Sequence, residues 1–169
     1  DGLVSDAEVT GVRPEHDLAV LRAKRIPDDL IAATMRSTSD LKPGDRVAVL
    51  SKNAPVFYEL AFACSKANAV LCGLNWRLAV PEITAIVADA APTVLIVADE
   101  QRPLLAPEAL ATAGIKRIVG LESEYERWIA GAPAEDPRVA AAPHDPVFLL
   151  YTSGPTGVPK GAELTHRNM

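Results

Sequence analysis

The chain has 169 residues, and its 22 acidic side chains against 17 Lys and Arg give a formal net charge of -5. Apolar residues make up 49% of it and charged residues 23%, which is typical of a globular protein and excludes disordered, collagen-like and coiled-coil chains. The length allows one domain or part of one. The acidic balance argues against nucleic-acid binding. No apolar stretch approaches the ~20 residues of a membrane-spanning helix.

The first residue and the two cysteines predict a compartment. The chain begins at Asp1 without a basic segment followed by an apolar one, so we predict no secretion signal, and Asp1 itself indicates a trimmed or partial chain. Cys64 and Cys72 lie in apolar surroundings, which favours two reduced core thiols over a disulfide or a metal pair. We therefore expect a cytoplasmic location.

Residues 1–40 carry the weakest pattern. Residues 16–25 and 27–35 each allow a helix, whereas the polar residues 37–40 interrupt it. We expect a partly helical lead-in without an assigned role, followed by a domain over residues 41–169.

From Leu41 onward, short apolar runs alternate with amphipathic segments. The apolar runs predict buried strands at residues 47–50, 70–74, 93–98, 116–119 and 147–151. Helices are predicted after Pro55, after Pro81, and over residues 107–113 and 125–130. The apolar faces of the first two helices are Phe57, Leu60, Ala61 and Cys64 in one, and Ile83, Ile86, Val87 and Ala90 in the other.

This alternation predicts an α/β fold with a mostly parallel sheet and helices on both faces. Residues 131–146 are rich in Ala and Pro, and they predict a surface connection before the last strand.

The last predicted strand runs into the sequence YTSGPTGVPKG at residues 151–161. Glycines let a backbone approach an anion closely, hydroxyls add donors, and Lys160 adds a positive charge. Open parallel sheets bind ligands beyond the carboxyl ends of their strands, where this loop would lie. The competing interpretation is a plain Gly/Ser/Thr connection, and the density of donors favours a phosphate cradle over it.

The loop does not have the spacing of a Walker A motif. Counted from Gly154, Pro159 stands where that motif has its second glycine, and Gly161 follows Lys160 where Ser or Thr should bind magnesium. A kinase or NTPase with that motif is therefore disfavoured.

Residues 152–161 resemble the phosphate loop of the adenylate-forming (AMP-binding) enzymes, which include acyl-CoA synthetases. That loop has the pattern S/T-S/T-G-S/T-T-G-x-P-K-G, and only Pro155 departs from it. Residues 41–70, 74–97 and 164–168 also resemble the family's early N-terminal region in order and spacing, and residues 75–78 favour fatty-acyl-CoA synthetases over amino-acid-activating domains. The resemblance implies an incomplete part of the large N-terminal domain, ending just after the phosphate loop.

The resemblance also implies a reaction and its cofactors. A carboxylate, here a fatty acid, attacks ATP to give an acyl-adenylate and pyrophosphate, and coenzyme A then takes the acyl group. By position, the residues that would contact the β- and γ-phosphates are Ser153, Gly154, Thr156, Gly157 and Lys160. Thr152 would lie beside Mg²⁺. No catalytic residue is assigned within this chain, and its oligomeric state is not predicted.

Two departures from the family pattern lead to an alternative. Pro155 lacks both a backbone N–H and a hydroxyl, so donors to phosphate are lost there. The family's chains are also much longer than 169 residues. We expect an N-terminal portion of a fatty-acid–CoA ligase that does not turn over ATP alone. The alternative is a non-catalytic, degenerate relative or fragment that at most binds nucleotide or a partner protein.

Three more side chains allow a functional or a structural interpretation. His166 could act as a base, but Thr165 as the cap of a helix whose first turn holds His166 and Asn168 is the favoured interpretation. Trp76 and Arg77 could face a ligand, whereas packing of Trp76 beside a strand end is favoured.

Overall fold

The computed structural model describes residues 7–13, 18–23, 41–132, 136–153 and 159–169, and the chain divides into two compact units. The first unit is Asp1–Ile31. In it, β1 (Ala7–Arg13) and β2 (Leu18–Ala23) form an antiparallel two-stranded sheet.

The helix predicted over residues 16–25 is therefore wrong, because β2 occupies most of that segment. A short apolar run fits a helix or a strand equally well until its partner is known. The partner is β1, whose Val9, Thr10 and Val12 have the branched side chains that strands favour. The second predicted helix, over residues 27–35, lies outside the described residues.

The second unit, Ala32–Met169, contains a six-stranded sheet. Its strands are β3 (Arg46–Leu50), β4 (Val70–Leu74), β5 (Val94–Val97), β6 (Arg117–Gly120), β7 (Pro146–Ser153) and β8 (Pro159–Thr165). Their order is β6-β5-β3-β4-β7-β8. All neighbours are parallel except β7 and β8, which are antiparallel. The mostly parallel sheet is confirmed, and β8 is a strand that the sequence did not predict.

Four helices connect the parallel strands. They are α1 (Val56–Ala67), α2 (Val80–Ala90), α3 (Pro107–Thr112) and α4 (Tyr125–Ile129), and a 3-10 turn covers Asp99–Leu104. The predicted apolar face of α2 is confirmed, since all four of its residues are buried. In α1, Leu60 and Cys64 are buried while Phe57 and Ala61 are half-buried. None of the helices that the structure describes is long and apolar enough to span a bilayer.

Alternate residues of the strands face two separate clusters of the core. Val47, Val49, Leu71 and Ile96 pack with α1 and α4 on one face. Ala48, Leu50, Cys72 and Leu95 pack with α2 and the residues around α3 on the other. This period-two alternation explains why the strands are apolar throughout. Helices therefore cover both faces of the sheet, as the sequence predicted.

Both cysteines are free and buried in this core, one in each cluster. Burial raises the pKa of the Cys64 thiol and that of the Cys72 thiol to about 12, so neither is a reactive thiolate near neutral pH. The prediction of two core thiols is confirmed.

One buried side chain attaches the connection before β7 to the end of α1. Asn68 ends α1 in the left-handed conformation (φ 50°), and its Nδ2 donates to Asp145 Oδ2 at 2.9 Å and to the Ala140 carbonyl at 3.3 Å. The Ala142 amide donates to the same carboxylate oxygen at 2.8 Å. Within its described part, the connection is irregular and mostly exposed, as predicted.

Candidate functional site

The carboxyl ends of β3 and β4 and the start of α1 enclose an open cleft of about 230 Å³. Phe57 and Gly73 line its apolar side. Its polar side chains are Ser51, Lys52, Asn53, Asn75 and Arg77, together with the indole of Trp76. The cleft therefore lies where an open parallel sheet binds its ligands.

Trp76 organises the positive charges of this cleft. The Lys52 Nζ lies 5.4 Å and the Arg77 Cζ 4.5 Å from the centre of its ring, so both cations contact one indole. Lys52 also forms an ion pair with Glu100 at 2.9 Å. A hydrogen bond from Gln101, followed by the contact with Lys52, lowers the pKa of Glu100. Trp76 is half-buried against the α2 side of the core, so its packing role is confirmed.

The strand that leads to the phosphate loop extends beyond its parallel neighbour. Pairing of β7 with β4 covers Leu71 with Phe148, Cys72 with Leu149, and Gly73 with Leu150, and it stops there. Residues 151–153 continue, paired only with residues 159–161 of β8. We call these two segments the hairpin end. In sequence, these segments are the two ends of the predicted phosphate loop, whose middle residues 154–158 lie outside the described residues.

The structure brings Thr152 and Lys160 together at the hairpin end. They are directly opposite each other on antiparallel strands, and both are exposed. Opposite residues share a face of the sheet with Cβ atoms about 5 Å apart. This face is the one that carries Leu150, which pairs with Gly73 of the cleft, and Thr152 is two residues further along. Thr152 therefore lies about 7 Å further along the strand direction than Gly73 and one strand across from it, and Lys160 lies one strand further across.

The remaining predicted residues are placed only in part. The backbone of Ser153 pairs with Pro159 at the last position of the hairpin. Gly154, Thr156 and Gly157 lie outside the described residues, as does Pro155. Their contacts with phosphate stay predictions.

The described residues offer Mg²⁺ one oxygen at this position, the exposed Thr152 hydroxyl. Within the described ranges, no three His, Cys, Asp or Glu side chains cluster as a metal site. Mg²⁺ usually keeps several waters and is held by one or two carboxylates together with substrate phosphates. These residues alone therefore do not fit a resident metal centre. They fit an ion that arrives with a polyphosphate.

Sequence reasoning missed the role of Tyr151. Its hydroxyl donates a 2.5 Å hydrogen bond to Asp89 Oδ2 on α2, and its ring packs on the α2 side of the core. Burial and, next, the contact with Asp89 raise the pKa of this hydroxyl. The two residues are 62 positions apart, and no local pattern links them.

Gly161 has a packing role that the sequence does not predict. It lies within β8, opposite Tyr151. A Cβ at this position would lie 2.8 Å from Leu149 Cδ1 and 3.2 Å from Tyr151 Cζ. The glycine therefore makes room for the tyrosine ring to cross β8.

His166 is far from this site. It begins a 3-10 turn at the opposite end of the hairpin, about 20 Å from Lys160 by strand length. The amide and the hydroxyl of Thr165 both contact Asn168 Oδ1 at 2.9 Å. The predicted capping role of Thr165 is confirmed, with a 3-10 turn in place of an α-helix.

Comparisons with known proteins agree on one family. The family model described as AMP-binding enzyme matches residues 28–169. A fatty acid–[acyl-carrier-protein] ligase, ScoC of Streptomyces coeruleorubidus, is 41% identical over 133 residues, which is 76% of this chain and 24% of that protein. A feruloyl-CoA synthase of an Amycolatopsis species is 40% identical over 148 residues, 88% of this chain and 27% of that protein.

A solved structure supports the same fold. The fatty acyl CoA synthetase of Mycobacterium tuberculosis superposes with a TM-score of 0.70 at 27% identity, over 90% of this chain and 30% of that one. The chain thus spans about a quarter of the length of the curated relatives that it matches.

Proposed function

The chain belongs to the family of AMP-binding enzymes, and we propose on that premise that it is part of an ATP-dependent acid–thiol ligase. The observation that supports this proposal is the pairing of Thr152 with Lys160, on the two strands that the predicted phosphate loop joins in sequence and at the carboxyl edge of the sheet. A hydroxyl and an ammonium on one face, joined to a glycine-rich tip, suit a polyphosphate.

The proposed chemistry is acyl-adenylate formation. An oxygen of the substrate carboxylate bonds to the α-phosphorus of ATP while the bond to the bridging oxygen of pyrophosphate breaks. Negative charge then grows on the departing pyrophosphate. Donors placed in advance stabilise such charge without reorganisation, which is the role we give to Ser153, Gly154, Thr156, Gly157 and Lys160. Thr152 would lie beside the Mg²⁺ that enters with ATP, and this ion neutralises part of the phosphate charge.

The acid and the acceptor are the finer part of the proposal. The two relatives differ in both, since one is named for a fatty acid and an acyl carrier protein and the other for feruloyl-CoA. We propose a fatty acid as the acid and coenzyme A as the acceptor, because the sequence of residues 75–78 is typical of fatty-acyl-CoA synthetases. The reaction then belongs to lipid metabolism, and the two free buried thiols are compatible with a reducing cytoplasm.

The alternative is a chain that binds nucleotide without turning it over. Pro155 supports it, because it removes a backbone donor at the centre of the loop. We expect residues 1–169 alone to release no pyrophosphate from ATP in the presence of a fatty acid. Carboxylate-dependent release by the purified chain would contradict that expectation.

Calorimetric titration with Mg²⁺-ATP and with Mg²⁺-pyrophosphate tests the phosphate site directly. Lys160→Ala should weaken binding of both about tenfold, since a hydrogen bond to a charged group contributes roughly 1.5–3 kcal/mol. Lys116→Ala is the matched control, because Lys116 is an exposed lysine just before β6, the opposite edge of the sheet. Equal affinities of the Lys160→Ala and Lys116→Ala variants would refute the proposed site.

A further inference from the structure

The hairpin end lacks the support that the rest of the sheet has. Pairing with β4 stops at Leu150, so residues 151–153 and 159–161 are held laterally only by each other. On the α2 side, an open cleft of about 400 Å³ borders this hairpin, and it is lined by Arg46, Asp89 and Tyr151 among others. Apart from the Tyr151 ring, which packs on the α2 side of the core, this cleft leaves the hairpin end open on this side.

One hydrogen bond bridges that cleft. The Tyr151 hydroxyl reaches Asp89 Oδ2 across it, and the ring lies over Gly161. Successive residues of a strand point to opposite faces. Tyr151 therefore faces α2, and the next residue, Thr152, faces the other side with Lys160. An anchor at Tyr151 thus fixes the rotation of the strand at the residue where the predicted phosphate site begins.

The position of Asp89 on its own helix is unfavourable. It lies in the last turn of α2, where the helix dipole disfavours a carboxylate by about 0.3–1 kcal/mol, and no basic residue shares that turn. The Arg46 Nη1 donates to the neighbouring Ala90 carbonyl at 2.9 Å and supplies a positive charge nearby. Helix stability does not explain an aspartate at this point, whereas its contact with the hairpin does.

We propose that Tyr151 and Asp89 are positioning residues, whose hydrogen bond holds the hairpin end against α2 and thereby keeps Thr152 and Lys160 in place for phosphate. The proposal rests on the function proposed above. Neither side chain contacts the phosphates in this scheme. Both act by raising the fraction of molecules in which the loop is placed to bind.

The test compares Tyr151→Phe, Asp89→Ala and the double variant with Tyr58→Phe, which removes a hydroxyl from a tyrosine that is 71% exposed on α1. In hydrogen exchange without ligand, the amides of residues 160–162 should exchange about fivefold faster in Tyr151→Phe, in Asp89→Ala and in the double variant than in the parent chain. Exchange in the double variant should be no faster than in either single variant, because both changes remove the same hydrogen bond. Mg²⁺-pyrophosphate should bind these three variants about fivefold more weakly, and Tyr58→Phe should match the parent chain in both measurements.

Thermal unfolding separates positioning from a purely structural role. Asp89→Ala removes a carboxylate from an unfavourable helix position, so its unfolding midpoint should not fall even though binding weakens. Unchanged exchange of residues 160–162 in Tyr151→Phe would overturn the anchor, whether or not the chain binds pyrophosphate. Faster exchange with unchanged affinity would overturn the positioning role. Failure of the parent chain to bind pyrophosphate refutes the proposed function and, with it, the positioning role, while the exchange data still decide the anchor.

Discussion

The strands β6, β5, β3 and β4 differ from the β7–β8 hairpin in how their faces are covered. The first four lie between two layers of helices, and their inward side chains are almost completely buried. The hairpin carries an exposed apolar residue on one face, Leu150, and borders an open cleft on the other. Stability is therefore concentrated in the parallel strands, while the proposed phosphate site lies on the less supported hairpin. Mutations should separate the two properties.

The largest expected effect is loss of a core side chain in the parallel part. Leu60→Ala removes a fully buried side chain that α1 packs against the parallel strands, and it should lower the free energy of unfolding by about 2–5 kcal/mol. Leu150→Ala in the hairpin should cost less than about 1 kcal/mol, because that side chain is already 38% exposed. Urea unfolding measures both. Similar losses of unfolding free energy in the two variants would contradict the expectation that the parallel strands contribute more stability than the hairpin.

Gly161→Ala should lower the free energy of unfolding by about 1–3 kcal/mol, because the new methyl group would meet Leu149 and Tyr151 at 2.8 and 3.2 Å. The control is Gly73→Ala in β4, where the nearest atom to the new Cβ is Phe57 Cε2 at an ordinary 3.4 Å. Urea unfolding combined with hydrogen exchange should place the loss at residues 159–162. A larger loss for Gly73→Ala would show that crowding around Gly161 does not limit the hairpin.

Pro155→Thr should tighten Mg²⁺-ATP binding about tenfold, since it restores a backbone donor and a hydroxyl to the loop. Titration calorimetry measures the change, and Pro137→Thr in the connection before β7 serves as the control. Because neither core cluster includes the exchanged residue, the unfolding midpoint should stay nearly constant. Unchanged affinity would indicate that the loop does not use this position for phosphate.

The smallest expected effect is the pH dependence of the stability that Asp145 provides in the connection before β7. Hydrogen bonds from the Ala142 amide and then from Asn68 lower the pKa of Asp145 below its ordinary value of 3.8. The folded state therefore binds a proton less readily than the unfolded state, and the carboxylate contributes stability above about pH 4 that is lost as the pH falls. The unfolding midpoints of the parent chain and Asp145→Ala should converge in acid. A difference independent of pH would contradict this linkage.

The sequence was informative where periodicity alone determines structure. The buried stripe of α2 and the apolar run of β4 follow from residue spacing, so their positions were predicted correctly. β8 has no apolar run, because an edge strand leaves most of its side chains exposed, and only its pairing with β7 reveals it. β2 does contain an apolar run, but this run fits a helix as well as a strand, so the sequence alone does not distinguish the two.

The residues of the candidate site also differ in whether the sequence predicts them. A contiguous motif predicts Thr152 and Lys160, and the structure places them opposite each other on two strands, while their role stays a prediction. The sequence does not identify Asp89, because its contact with Tyr151 depends on how α2 and the hairpin pack, and no local pattern links residues 62 positions apart.

The crowding around Gly161 has a consequence for genetic screens. A saturation library across residues 152–161 should report reduced tolerance at position 161, and a motif-based analysis would attribute this to contact with nucleotide. The cause is steric, because a new side chain would meet Leu149 first and the Tyr151 ring next. A second-site library at Leu149 should therefore contain suppressors of Gly161→Ala with smaller side chains, whereas no such suppressor is expected for Lys160→Ala.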